Sequence, residues 1–187
     1  MHEHIFVLSP EIMANYPDAW GDEELRVADA VARLTELKAR GVDTIVDLTV
    51  IGLGRYLPRV VRVAAQTELN IVVATGVYTY NDVPMYFHFT GPGTGADVFL
   101  PFEDRVNTVA TMCERGHADR LVLSHDASCF IDWLPEEAVA AALPNWHYLH
   151  IHNDVLPALR RRGVTSEQID AMLIHNPRKI FDAKGAY

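Results

Sequence analysis

The chain has 187 residues, 49% of them hydrophobic and 22% charged, with a formal net charge of -9 and a pI near 5.4. That length suits one cored domain over residues 1–187 rather than two, and the acidic balance without any Lys/Arg-rich run excludes a nucleic-acid groove. The apolar runs are too short for a membrane span or a secretory leader, and Cys113 and Cys129 are too few for a disulfide framework, so a soluble, cytoplasmic protein with a small-molecule partner is expected.

The chain opens Met1-His2-Glu3-His4-Ile5-Phe6. In a strand, successive side chains alternate faces, so His2 and His4 would point one way and share an ion while Glu3 points the other. A solvated histidine-rich start is the competing reading. From Asp22 to Arg40, the residues Leu25, Val27, Ala28, Val31, Leu34 and Leu37 recur at helical spacing, and Gly41 is a suitable stop. Val42 to Val50 is β-branched and reads as a buried strand; Pro58 to Glu68 is a second helix, and Asn70 to Thr75 a second buried strand ending at Gly76. Such apolar strands, with helices before and between them, predict parallel pairing in an α/β fold, because both faces are covered.

Tyr78 to Gly95 is aromatic and rich in Gly and Pro, without a period, and Gly91 to Gly95 is the one plausible internal boundary. A helix is predicted at Pro101 to Gly116, then a third strand at Arg120 to Ser124 that ends at His125-Asp126. The remainder reads as helix: Glu136 to Leu143, about Tyr148 to Arg162, Ser166 to Ile174, and a last turn at Pro177 to Phe181.

His2, His4 and Asp126 are the candidate metal ligands, since each can sit where a parallel strand hands over to a loop, the place where α/β sheets gather binding groups. Imidazole and carboxylate suit zinc, cobalt, manganese or iron. Asp126 read alone is as well explained as a cap or turn residue. The second His-x-His, His150 and His152, falls at the start of a helix, where i and i+2 do not share a face. His125, next to Asp126, should point to the opposite face and serve the structure. Cys129 reads as a small core residue, and Gly52 to Arg55 lacks the Lys-Ser/Thr of a phosphate loop.

In chain order, "HEHIFVLSPE", "GVDTIVDLTVIGLGR", "GVYTYNDVP", "LVLSHDASCFIDW" and "NPRKIF" resemble segments of the phosphotriesterase family in the amidohydrolase superfamily, most closely its phosphotriesterase-like lactonases. The resemblance covers nearly the whole chain. It implies a TIM-type (β/α)8 barrel with the His-x-His at the end of the first strand and the Ser-His-Asp at the end of the eighth. Carried over by motif, His2, His4 and Asp126 would bind the more buried of two divalent metals. Asp126 would also be catalytic, taking up a proton as a hydroxide attacks a lactone carbonyl or a phosphotriester phosphorus. Tyr78 would lie over the metal centre and polarise the substrate carbonyl, and Phe130 and Trp133 would line the acyl-side pocket; packing roles compete with each of these assignments. The implied activity is metal-dependent hydrolysis of lactones, acyl-homoserine lactones among them, and promiscuously of organophosphate triesters.

The chain departs from the family pattern in its middle. The carboxylated lysine that bridges the metals has no counterpart among Lys38, Lys179 and Lys184, and neither do the two histidines that hold the second metal; His88 lies in the irregular segment. The text passes from a region resembling that after the third strand to one resembling that after the seventh, and the first strand starts abruptly at Met1. A full barrel typically needs about 250 residues, so an incomplete barrel is expected, made of units one to three and eight, with at most one metal. Its exposed strand edges predict a homo-oligomer. Two readings stay open: a hydrolase with a reduced metal centre, or a non-catalytic α/β remnant that self-associates and binds at most one metal.

Overall fold

The structure, a computed structural model, describes residues 2–78, 101–133 and 135–182. The chain divides into two compact units, where one domain over 1–187 is expected from length alone. Among the described residues, one unit holds 2–78, 125–133 and 135–149, and the other holds 101–124 and 150–182.

The first unit is α/β and all its described strands pair in parallel. Its elements are β1 (Phe6–Val7), α1 (Pro10–Asn15), α2 (Glu23–Ala39), β2 (Thr44–Asp47), α3 (Leu57–Ala64), β3 (Asn70–Val73), and, after α4 of the other unit (Phe102–Glu114), β4 (Phe130–Ile131) and α5 (Glu136–Ala142). β2 pairs with β3 in the register Thr44 to Asn70 and Asp47 to Val73, and β1 pairs with β4 with Phe6 opposite Phe130. A bridge between Glu3 and Asp47 joins the two pairs, so the strands run in the order β3, β2, β1, β4.

α2 shows why these segments take their form. The Asp22 carboxylate accepts from the backbone N–H groups of Glu24 (2.8 Å) and Leu25 (3.1 Å), occupying donors that have no partner within the helix. Val27, Ala30, Leu34 and Leu37 then recur on one buried face against Ile5, Phe6, Ile45 and Val63. Gly41, at φ +90°, takes the left-handed conformation that ends the helix. Leu25, expected on the apolar face, is 71% exposed, because at about 100° per residue it lies on the side of the helix opposite Leu34. α1 has no counterpart in the sequence reading; its six residues are too few to show a period, and none is buried.

The second unit is helical among its described residues. It contains α4, α6 (Leu156–Arg161), α7 (Ser166–Asp170) and α8 (Asn176–Phe181), with π-helical turns at Ile151–Val155 and Ala171–His175 leading into α6 and α8. Val106, Cys113, Ile151, Leu159, Ile169 and Met172 form its core. Thr165 and Gln168 cap α7 reciprocally. None of the described helices is long and apolar enough to cross a membrane.

The expected strand at Arg120 to Ser124 is not a strand here. Arg120 closes a 3-10 turn, and the Asn176 side-chain amide donates to the carbonyls of Ala118 and Leu121, both at 2.7 Å. One carbonyl that a ladder would use is therefore taken up by a side chain. Pairing with the N-terminal segment begins later: Asp126 N–H donates to His2 O (3.0 Å), Cys129 to Ile5 O (3.0 Å) and Asp132 to Val7 O (3.1 Å). The position of the His-x-His also differs from expectation. Glu3 lies level with Asp47 at the carboxyl end of β2, but its own paired run continues past His4 into β1.

Candidate metal centre

The N-terminal segment is held on both sides, and the alternation of its backbone decides where each side chain goes. Glu3 bonds toward β2, donating to Val46 O (3.0 Å) and accepting from Leu48 N–H (3.0 Å), while His4 N–H donates to Ala127 O (2.9 Å). His2 and His4 thus face one way. Asp126 meets them from the neighbouring segment, its Oδ1 lying 3.1 Å from His2 Nε2 and 3.3 Å from His4 Nε2. One ligand atom from each of the three lies within 4.8 Å of the other two.

Asp126 reaches this point through an uncommon backbone. Its φ of +53° makes it the one non-glycine residue with positive φ among the described residues. Asp tolerates this region better than most residues, yet such conformations persist where the surroundings over-determine them. Here the Trp146 indole N–H donates to Asp126 O at 2.6 Å. On the other face, the buried Glu3 carboxylate, 3% exposed, accepts from His125 N–H (3.0 Å), His125 Nδ1 (3.0 Å) and Ala127 N–H (3.1 Å). Glu3 therefore anchors the residues on both sides of Asp126.

A second set of groups orients His4. Its Nδ1 lies 3.0 Å from Thr49 Oγ1, and Thr49 in turn is held by Asp47, whose Oδ1 accepts from Thr49 N–H at 3.0 Å. Burial pushes the Asp47 carboxyl up, and its bonds from Thr49 and the nearby His4 oppose that shift. With the Thr49 hydroxyl donating to Asp47, Nδ1–H of His4 donates to Thr49 and the Nε2 lone pair is left for a metal. The Tyr148 hydroxyl donates to His4 O and fixes the backbone beneath the ring.

The donor set fits a divalent transition metal: two imidazole nitrogens and one carboxylate oxygen converge, with a hydrogen-bonded second layer behind one imidazole. Tyr78 is partly buried, and its N–H donates to Ile51 O at 2.7 Å; a Cβ on Gly52, which has φ +96°, would lie 2.2 Å from the Tyr78 carbonyl oxygen. Phe130 is a core residue, 7% exposed, packed edge-to-face on Trp20 with the Arg26 guanidinium 3.9 Å over its ring. Trp133 is partly buried just beyond β4. His125 is tied to Glu3 on the opposite face, as alternation predicts. His150 pairs through Nδ1 with Asp154, one turn on, at 2.8 Å. Cys129 is buried, its thiol pushed up to about 12 by burial, and contacts the Tyr148 hydroxyl at 3.4 Å. Lys38 is paired with Asp43 at 2.6 Å. His88, Lys184 and the Gly91–Gly95 boundary lie outside the described residues.

Sequence reasoning missed Glu3, Asp47 and Thr49 as supports. The alternation of His2, Glu3 and His4 carried a signal for Glu3, since a carboxylate forced to the inner face must find donors there. No comparable signal marked Thr49.

The profile of the Phosphotriesterase family matches residues 1–95 and 93–181. The "Phosphotriesterase homology protein" of Mycobacterium tuberculosis is 44% identical over 305 aligned positions, covering 100% of this chain and 94% of the relative. An "Aryldialkylphosphatase" of Saccharolobus solfataricus is 25% identical, over 97% of this chain and 93% of that protein. Among solved structures, the phosphotriesterase from Mycobacterium tuberculosis superposes with a TM-score of 0.89, covering 100% of this chain and 94% of that one at 44% identity. The organophosphorus hydrolase from Deinococcus radiodurans gives 0.79 at 22% identity, over 96% of this chain and 91% of that one, a likeness of fold. The structural neighbours are barrels of the phosphotriesterase type, and both the profile and the closely similar relative span both units. This chain belongs to the phosphotriesterase family.

Proposed function

We propose that this chain is a metal-dependent hydrolase of lactones, with organophosphate triesters as a secondary substrate class, working from one metal held by His2, His4 and Asp126. The observation that carries the reading is the convergence of those three ligand atoms within 4.8 Å of one another. A bound zinc, cobalt or manganese ion would supply Lewis acidity and a lowered pKa for water. His2 and His4 hold the site through Nε2. Asp126, with one oxygen toward both histidines and its side chain open to solvent, takes up the proton released as water attacks the carbonyl or phosphoryl centre. Glu3 and Trp146 keep the Asp126 turn in place, and Thr49 keeps the His4 ring from rotating. Tyr78 offers a phenol to the substrate carbonyl oxygen, and Trp133 lines the acyl side.

The same reading treats residues 1–187 as one barrel domain lacking its middle. An alignment of 305 positions against 187 residues leaves 118 positions with no residue from this chain, and the two profile matches meet at residues 93–95, which supports that view. It also supports a second reading, a remnant that binds metal without turnover, because a single ion lacks the clamp that a metal pair provides.

Metal content and lactone hydrolysis of the purified chain, with His4→Ala and Asp126→Ala beside it, test both readings. About one ion per chain, lost in both variants, together with zinc-, cobalt- or manganese-dependent lactonase activity, is the expected result. Metal retained in both variants removes the site. Metal without turnover leaves the remnant.

A further inference from the structure

We infer that Asp132 is a positioning residue: through its bond to Ser9 it fixes the turn that carries Trp133, and with it the selectivity of the site for the acyl chain of a lactone. The inference rests on the reading of Trp133 as a lining of the acyl side. β1 and β4 run in parallel, and Asp132 N–H donates to Val7 O at 3.1 Å just past their paired residues. A further rung of the ladder would send Ser9 N–H to the Asp132 carbonyl. Ser9 N–H donates instead to the Asp132 side chain, at 2.7 Å from Oδ2. The carboxylate thus takes the donor on which the ladder would continue, and the chain leaves the sheet in the turn at Asp132 and Trp133.

Both partners are held firmly enough for this bond to set a position. Ser9 is 7% exposed and starts α1, its carbonyl accepting from Met13 N–H at 3.0 Å. Burial pushes the Asp132 carboxyl up, and bonds from the Ser9 N–H and side chain oppose that shift. A backbone N–H on a carboxylate is a charge-assisted bond, roughly twice as strong as a neutral one.

The far end of the same loop is tied as well. α5 begins at Glu136, whose Oε1 lies 2.5 Å from Arg26 Nη1 on α2, and Arg26 Nε donates to Trp20 O at 3.0 Å. Glu136 is 55% exposed, so that ion pair is screened by solvent and holds weakly. Asp132, next to Trp133 and bonded to a buried N–H, is the tie that decides where Trp133 stands.

Fluorine NMR of the chain labelled with 5-fluorotryptophan tests the positioning without turnover. The chain has three tryptophans, and the Trp133 line is assigned by its loss in Trp133→Phe. Asp132→Ala should shift or broaden that line and leave the Trp146 line in place; Asp132→Asn, which keeps an oxygen for the Ser9 N–H, should hold it near its wild-type position. In the zinc-loaded chain, Asp132→Ala should raise KM for a lactone with a long acyl chain about 10-fold, the scale of one lost apolar contact, with kcat and the KM of an unsubstituted lactone unchanged. Should Asp132→Ala fail to fold, Ser9→Pro removes the same bond from the donor side and should give the same results, because the Ser9 φ of -81° is near the roughly -65° that proline fixes. A Trp133 line that does not move, or a line that moves while the ratio of the two KM values stays as in the wild type, overturns the inference. A ratio that Trp133→Ala also leaves unchanged refutes the acyl-side reading of Trp133, and a chain that turns over no lactone refutes the hydrolase reading; in both cases the fluorine line still decides whether Asp132 positions the turn.

Discussion

Replacing Glu3 by Ala should unfold the metal centre from behind. The Glu3 carboxylate accepts from His125 N–H, His125 Nδ1 and Ala127 N–H at 3.0 to 3.1 Å. Truncation leaves the two backbone donors inside a site that is nearly closed to water. A buried donor that loses its partner costs about 1 to 3 kcal/mol, so the pair amounts to about 2 to 6 kcal/mol against a total of about 5 to 15 kcal/mol for an ordinary domain. Glu3→Gln should fall between, because its carbonyl still accepts while its amide meets a backbone N–H head-on. The assay is urea unfolding followed by tryptophan fluorescence, with metal content measured in parallel. Glu3→Ala should lower the midpoint and weaken metal retention together, since the same bonds hold the turn that carries Asp126. A midpoint shift equivalent to less than about 0.5 kcal/mol, the scale of an ordinary surface substitution, would refute the reasoning.

Thr49→Val removes the hydroxyl 3.0 Å from His4 Nδ1 at nearly constant volume; metal affinity should fall about 10- to 100-fold, as for other second-layer partners of a ligating histidine, and titration with zinc against a competing chelator reads it. Glu23 has its carboxyl held below its ordinary value of 4.5, chiefly by the hydrogen bonds from Arg59. A lowered folded-state pKa contributes stability that is present above pH 4.5 and is lost as pH falls through the folded value. Glu23→Gln should therefore be less stable than wild type near pH 7 and match it in strong acid, a convergence visible in thermal melts across that range.

Most of the local structure, and the choice of His2, His4 and Asp126 as candidate ligands, was legible in the order of residues. Val27, Leu34 and Leu37 at helical spacing behind Asp22 specify α2, because capping and periodicity act within a few residues of each other. The β-branched runs around Ile45 and Ile71 specify strands for the same local reason, and their unbroken apolar character implies the parallel pairing. Strand alternation separated His2 and His4 from Glu3, and family resemblance brought Asp126 to them across 122 residues of chain. That Arg120 to Ser124 does not pair as a strand was not legible there, since the donor that takes the Leu121 carbonyl is Asn176, 55 residues away. The contacts of Phe130 with Trp20 and Arg26 are likewise set by position in space rather than by spacing along the chain. Glu3, Thr49 and Trp146 became supports of the site for one physical reason: a buried polar group must find its partner wherever the fold places one, and that partner is set by position in space rather than by spacing along the chain.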